Sequence, residues 1–284
     1  MQDGAAHAYG VRPSAWAIMI DDPKGSRAMS DPEQREGESS LARGLSLLEL
    51  FSPDEIELSI SEMARRSGMP KSTTHRLVGD LLRWGALEKG RAGVRLGVRL
   101  FELGHLVPDH SRLRELAIPF AHSLGAITNL TSNLAVREGS EIIYIEKINS
   151  RDLRVPHSRI GGRLPMHCTA LGKAILSYSG AAFVDTVLEG PLTALTSKTI
   201  TDPDALRREL AGVRQSRVAY DFEESQPGLF CVAAPIFART GRVVGALSVT
   251  GATSRDQARS FSGVVLASAQ ALSHALGAPG AGRI

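Results

Sequence analysis

The chain has 284 residues, 43% apolar and 22% charged, which is enough hydrophobic material for one large core or two moderate ones and too much for a wholly disordered protein. Its two cysteines, Cys168 and Cys231, form no CxxC pair and no regular spacing, which argues against a disulfide framework and a zinc finger, and no metal or other cofactor is expected. No apolar run reaches the length of a membrane span, segment 15–20 is too short for a secretory signal, and a net charge of +3 permits a nucleic-acid partner without demanding one; a cytoplasmic protein with no membrane partner is expected.

Residues 1–38 mix Gly, Pro, Ser, Asp and Glu without a sustained apolar period, the composition of a disordered tail. Met19 and Met29 lie inside it, so a misassigned start is an equally plain account. Order begins near Ser40, where Leu41, Leu45, Leu48 and Phe51 recur three or four residues apart until Ser52-Pro53 closes a first helix. Ser59 and Glu62 then read as a capping box, with Ile60, Met63 and Ala64 as the apolar stripe of a second helix that Gly68 ends. Pro70 suits the first position of a third helix, in which Thr74, Leu77, Val78 and Leu81 share one face while Lys71, Ser72, Thr73, Arg76 and Asp80 share the other.

Two short helices joined by a sharp turn match the helix-turn-helix plan, whose second helix enters the DNA major groove. Its tip carries suitable chemistry: Arg76 offers a planar fork, Lys71 a point charge, and Ser72, Thr73 and His75 short polar groups near the positive end of the helix dipole. After Gly85, residues 86–88 and 94–96 read as two short strands around a basic, glycine-containing loop, a wing whose Lys89, Arg91 and Arg95 could reach flanking phosphates. Between Ser59 and Arg99 there are nine Lys or Arg against three acids, a local excess of six in a chain whose total is only +3. This concentration favours double-stranded DNA as a partner over the plainer reading of a helical hairpin and loop with solvated charges.

From Val98 to about Leu124 the pattern returns to helix, interrupted by Pro108 and Pro119, and its apolar residues exceed what a lone linker can hide. Part of them is expected to meet a second copy of the chain. Further on, segments 131–136 with 141–148 and 231–237 with 243–250 read as antiparallel hairpins, with helices over 167–179, from Asp202-Pro203, and over 254–276. Strands in hairpins with helices between them give an α+β fold with a mainly antiparallel sheet flanked by helices.

Two stretches of this half suggest a ligand. In Gly161-Gly162-Arg163-Leu164-Pro165-Met166-His167-Cys168-Thr169-Ala170-Leu171-Gly172-Lys173-Ala174, backbone amides could converge on an anion, although ordinary capping by Thr169 is the simpler account. On the later strands, the two-residue period puts Ser248 and Thr250 on one face, suiting either a small polar pocket or a solvent-facing surface. An enzyme with Cys231 or Cys168 as nucleophile and His167 or Asp221 in support lacks a positioned base, and a metal sensor using His157, His167, Cys168 and Cys231 matches no known ligand spacing, so no catalytic activity is expected. A redox sensor acting through Cys231 stays open.

The run GMPKSTTHRLVGDL, the junction LGVRLFELG, the block GGRLPMHCTALGKAIL, the block RVAYDFEE from Arg217, and the strands CVAAPIF and ALSVTG, in this order, resemble the IclR-type transcriptional regulators of bacteria from about Ser40 to Gly277. The resemblance implies a winged helix-turn-helix domain (39–97), a linker helix (98–110) and a GAF-like effector domain (111–284). It also implies dimers that pair into tetramers, and promoter binding switched by a small metabolite, often a carboxylate. Carried over by motif, the effector residues would be Leu164, Ala170, Leu171, Asp221, Leu229, Cys231, Ser248 and Thr250. Ala170 and Leu171 stand where pyruvate- and glyoxylate-binding members have smaller residues, and Thr250 stands for a serine, which implies a pocket shaped for a different, more apolar effector.

Overall fold

The computed structural model describes residues 39–52, 54–107, 110–150 and 158–278, which form two compact units, 39–111 and 112–278. The expected tail with Met19 and Met29 lies outside the described residues, as do Pro53, Pro108 and His157.

The first unit contains α1 (Ser40–Leu48), α2 (Ile60–Ser67), α3 (Lys71–Trp84), β1 (Leu87–Lys89), β2 (Val94–Leu96) and α4 (Val98–Gly104). Ser39 and Ser59 cap α1 and α2 by accepting from the backbone amides of Ala42 and Glu62, each at 3.1 Å. The capping box is only half made, because the Glu62 carboxylate turns forward to Arg65 and Arg66 rather than back to Ser59; the hydrogen bonds from these two guanidinium groups hold it down at about 2. Gly68 takes the left-handed conformation that lets the chain turn directly into α3. Pro70 stands just before the first helical residue instead of at it.

Leu47, Met63, Leu77, Val78, Leu87 and Val94 build the core of this unit. The stripe expected on α1 is displaced: Leu41 and Leu45 are 71% and 51% exposed, and Gly44 and Leu47 face inward instead. Gly44 faces Leu77 of α3, and on that side of α1 it is Leu47 rather than Leu45 that enters the core. β1 and β2 pair antiparallel, Leu87 opposite Leu96, and Leu58 bridges Val94 on the free side of the hairpin.

The second unit contains α5 (His110–Thr128), β3 (Thr131–Glu138), β4 (Glu141–Ile148), β5 (Arg163–Pro165), α6 (Ala170–Leu176), α7 (Ala181–Glu189), α8 (Pro203–Ser216), β6 (Ala219–Phe222), β7 (Phe230–Phe237), β8 (Val243–Ala252), α9 (Arg255–Ser260) and α10 (Ser262–Ala275). Its sheet has the order β5-β4-β3-β8-β7-β6, antiparallel throughout, so both expected hairpins are present. Strand alternation separates two cores. On one face Ala135, Ile142, Cys231, Ala233 and Ala246 pack with α6, α7 and α8; on the other Leu134, Val232, Ala234, Leu247 and Val249 pack with α5, α9 and α10.

Three sequence expectations need correction here. Pro119 does not interrupt its helix, because buried Leu113, Ala117, Ala121 and Leu124 dock α5 onto the sheet on both sides of it. The helix expected over 167–179 is shorter, beginning only after the Thr169 cap. The final helix is divided at Phe261, where Ser260 and Ser262 bond the carbonyls of Gln257 and Arg259 and compete with helix continuation.

Candidate DNA interface and ligand cavity

The third helix divides as its spacing requires. Thr74, Leu77 and Val78 are buried, Lys71, Ser72, His75 and Arg76 are exposed, and Thr73 is half-buried at the edge. Thr74 sends its hydroxyl to the Pro70 carbonyl at 3.2 Å, so the polar group on the buried face is satisfied within the helix. Arg76 lies 3.5 Å from Asp80 in an exposed pair, loose enough for the guanidinium to exchange this carboxylate for a phosphate or base edge. Lys89 and Arg91 are exposed on the hairpin, whereas Arg95 is held by Glu88 at 2.6 Å.

In the second unit, register creates the site. Asp221 on β6 pairs with Cys231 on β7, and Cys231 pairs with Thr250 on β8, setting carboxyl, thiol and hydroxyl side by side across three strands. The next row on the same face is Ala219, Ala233, Ser248 and Asn133. Such small side chains do not fill the space beneath α6, and a narrow cavity that opens to solvent lies there. Leu164, Ala170, Leu171, Asp221, Leu229, Cys231, Ser248 and Thr250, the full set carried over by motif, all line it.

Tyr144, Ser158, Thr169 and Ser225 line it too, and sequence reasoning missed them as wall residues. Tyr144 was findable, since the alternation along β4 puts it on the same face as Ile142. Ser158 and Ser225 sit in loops that carry no periodic signal. The surface is not solvent-facing: Ser248 and Thr250 are buried, as are Asp221 and Cys231. Thr169 makes the ordinary cap, accepting from Gly172 at 3.0 Å while its hydroxyl donates to Pro165 at 3.2 Å.

Asp221 is heavily engaged. Its carboxyl accepts from the backbone amides of Glu224 at 2.8 Å and Ser225 at 3.3 Å and from the Ser225 hydroxyl. Burial nevertheless raises it to about 6, against the pull of the Ser225 hydroxyl and Lys173. Behind it, Lys173 on α6 is fully buried and held between Glu224 at 2.5 Å and Glu209 at 3.1 Å. Burial raises Glu224 to about 7 despite Lys173, and the two carboxylates keep the lysine above its usual value.

Other polar atoms here are unmet. Ser158 Oγ and Ser248 Oγ, both on the cavity wall, and Asn133 Oδ1 beside Ser248, are buried without a hydrogen-bond partner among the described residues. Buried hydroxyls are normally satisfied, so this wall is prepared for polar atoms brought in from outside.

The rival chemistries fare worse. Burial pushes both the Cys168 and the Cys231 thiols well above their usual range, and neighbouring Asp221 adds to the effect, which leaves neither as a ready thiolate. His167 spends Nε2 on the Thr193 carbonyl at 3.0 Å. Among the described residues no group of three or more His, Cys, Asp or Glu could hold a metal ion, and no helix is long and apolar enough to cross a membrane.

Comparison with known proteins agrees with this geometry. Residues 40–91 match the IclR helix-turn-helix domain model, and residues 105–274 match the model for the C-terminal domain of the bacterial transcriptional regulator IclR. The chain is 37% identical to the HTH-type transcriptional regulator XynR of Escherichia coli K12 over 84% of its own length and 98% of XynR. It is 32% identical to the transcriptional repressor IclR of the same organism, over 84% and 90% of the two chains. A solved IclR homologue from Microbacterium hydrocarbonoxydans, complexed with 4-hydroxybenzoate, superposes with a TM-score of 0.72 at 31% identity, covering 82% of this chain and all of the other.

Proposed function

The chain belongs to the IclR family of bacterial transcriptional regulators, and from that premise we propose that it binds operator DNA through α3 and the wing under control of a small organic or aromatic carboxylate held in the cavity. Residues 39–97 would read DNA, 98–110 link, and 111–284 sense. Lys71, Ser72, Thr73, His75 and Arg76 on the helix, with Lys89 and Arg91 on the wing, are the contact set.

One observation carries the sensing half: Ser158 and Ser248 present hydroxyls with no partner among the described residues, in a cavity that Leu164, Leu171, Leu229 and Tyr144 line together with Thr169, Asp221, Ser225, Cys231 and Thr250. A slot with leucine and tyrosine on its walls and several convergent polar groups suits a compact acid with a carbon skeleton, and the 4-hydroxybenzoate complex of the Microbacterium relative supports the same class. A ligand controls DNA binding only if it binds one arrangement of the paired recognition helices better than another. The regulator therefore acts as a symmetric dimer or a pair of dimers.

The direct test is a thermal-shift screen of the full chain against small carboxylates and aromatic acids, followed by DNA-binding assays with each hit. A hit should raise the melting temperature in proportion to occupancy and alter affinity for DNA. In the Ser248→Ala/Cys231→Ala double variant the response should vanish while DNA binding persists; an unchanged response would remove the cavity from the proposal.

A further inference from the structure

The wing is tied to the rest of its unit by a carboxylate that its own sequence neighbourhood does not predict. Residues 55–58, between α1 and α2, run alongside the hairpin. Leu58 and Val94 exchange backbone hydrogen bonds of 2.9 Å in both directions. A Cβ at Gly93 would overlap the Leu58 carbonyl, so only glycine allows the hairpin to sit so close.

Glu57 extends this contact to the wing tip, where Oε1 accepts from the Gly93 amide at 2.6 Å and also from the Ala92 amide. At the other end of the segment Glu55 receives the forked guanidinium of Arg66 on α2, with Nη2 to Oε1 at 2.6 Å. The two acids of one short segment thus strap the wing to the first helix of the helix-turn-helix.

An acid at the tip of a basic hairpin opposes binding to a polyanion through simple electrostatics. Its placement makes sense if geometry outweighs charge. Resting on the reading that Lys89 and Arg91 meet phosphates, we propose that Glu57 is a positioning residue for DNA binding, holding the wing tip at a fixed distance from α3.

The test uses the full chain and duplexes that the wild type selects from a random-sequence pool. Affinity is measured between 50 and 300 mM salt for wild type, Glu57→Gln, Glu57→Ala, the Lys89→Ala/Arg91→Ala pair, and the triple variant. Glu57→Ala should weaken binding about tenfold near 0.15 M salt and reduce the slope of log K against log salt by about 2, the loss of two phosphate contacts. Glu57→Gln, which keeps the carbonyl acceptor, should preserve the slope. In the Lys89→Ala/Arg91→Ala background Glu57→Ala should leave DNA affinity unchanged, and hydrogen exchange across residues 90–93 should quicken wherever Glu57 is replaced by alanine but not in Glu57→Gln.

Several results overturn the proposal: Glu57→Ala equal to wild type, both Glu57 variants binding more tightly, or weaker binding with an unchanged slope. A wild-type chain that retains no duplex at 50 mM salt overturns the DNA reading itself, which separates that failure from failure of the strap.

Discussion

Asn133 on β3 donates Nδ2 to Thr250 Oγ1 on β8 at 3.2 Å, a buried bond that fixes the amide and leaves its Oδ1 unmet beside Ser248. Thr250→Val keeps the side-chain shape but removes the acceptor, stranding the Asn133 amide. The expected cost is about 1–3 kcal/mol of stability. Thr250→Ser should retain most of that, and Asn133→Leu added to Thr250→Val should recover part of the loss. Urea denaturation of the variants measures this, and equal stability of the Val and Ser variants would show that the bond contributes nothing net.

The contribution of Asp221 and Glu224 to stability should fall as pH rises from about 4 to about 7, against the opposite trend of His167, whose charged form burial disfavours. Burial raises Asp221 to about 6 from 3.8 and Glu224 to about 7 from 4.5, so the folded state holds these protons more tightly than the unfolded chain does. Their favourable contribution is complete below the unfolded values and is lost as each group ionises in place. Asp221→Asn cannot ionise, and its melting temperature should be flatter than that of wild type between pH 5 and 7. Parallel profiles would mean that Asp221 stays ionised throughout.

Lys173 has no access to solvent and satisfies two acids. Lys173→Met should therefore cost about 3–5 kcal/mol, because Glu224 would be left buried and uncompensated. Adding Glu224→Gln should restore much of it. A double variant no more stable than Lys173→Met would indicate that packing of the lysine stem, rather than its charge, matters.

What the sequence made legible follows from how local each signal is. The buried face of α3, the caps Ser59, Thr169 and Asp202, and the pairing of β3 with β4 and β7 with β8 are set by residues a few positions apart. The edge strands β5 and β6 were not foreseen, since their three and four residues carry too few alternations to register; β1 and β2, equally short, were readable through the glycine-containing loop that joins them, and helix α7 was not foreseen either. Leu41 and Leu45 misled because a heptad-like stripe does not say which neighbour it meets. The cavity's motif residues came from family likeness, whereas Ser158, Ser225 and the Asn133 amide enter only through long-range register and loop packing. Glu57 was invisible for the same reason, its partners lying 35 and 36 residues away.

Arg76→Ala separates base reading from backbone contact. Arg76 is exposed on α3 and only loosely paired with Asp80. If its fork reads a guanine, the variant should lose discrimination at one base pair by about 1–3 kcal/mol while other positions keep their preference. Uniform weakening across sequences, with a reduced salt slope, would assign it to a phosphate instead. Binding to a set of single-position operator variants at two salt concentrations distinguishes the two.

The linker helix supplies the last prediction. Arg99 lays its guanidinium 4.5 Å from the centre of the Trp84 ring and donates to the Trp84 carbonyl at 2.9 Å, so one side of α4 is clamped to the end of the recognition helix. Phe101 on α4 and Leu106 just beyond its end, by contrast, are 65% and 75% exposed, and α4 buries no residue at all. A helix this apolar is costly to leave in water, and a second copy of the same face would remove the cost symmetrically. Phe101→Glu and Leu106→Glu should each shift the chain toward monomer in sedimentation equilibrium and weaken binding to a two-fold operator more than to an isolated half-site. Charges there cannot be hidden in a pairing face, yet inside a subunit they remove only the exposed contact of the Phe101 ring with His105 and no buried packing. An unchanged mass distribution for both variants would mean that subunits join elsewhere.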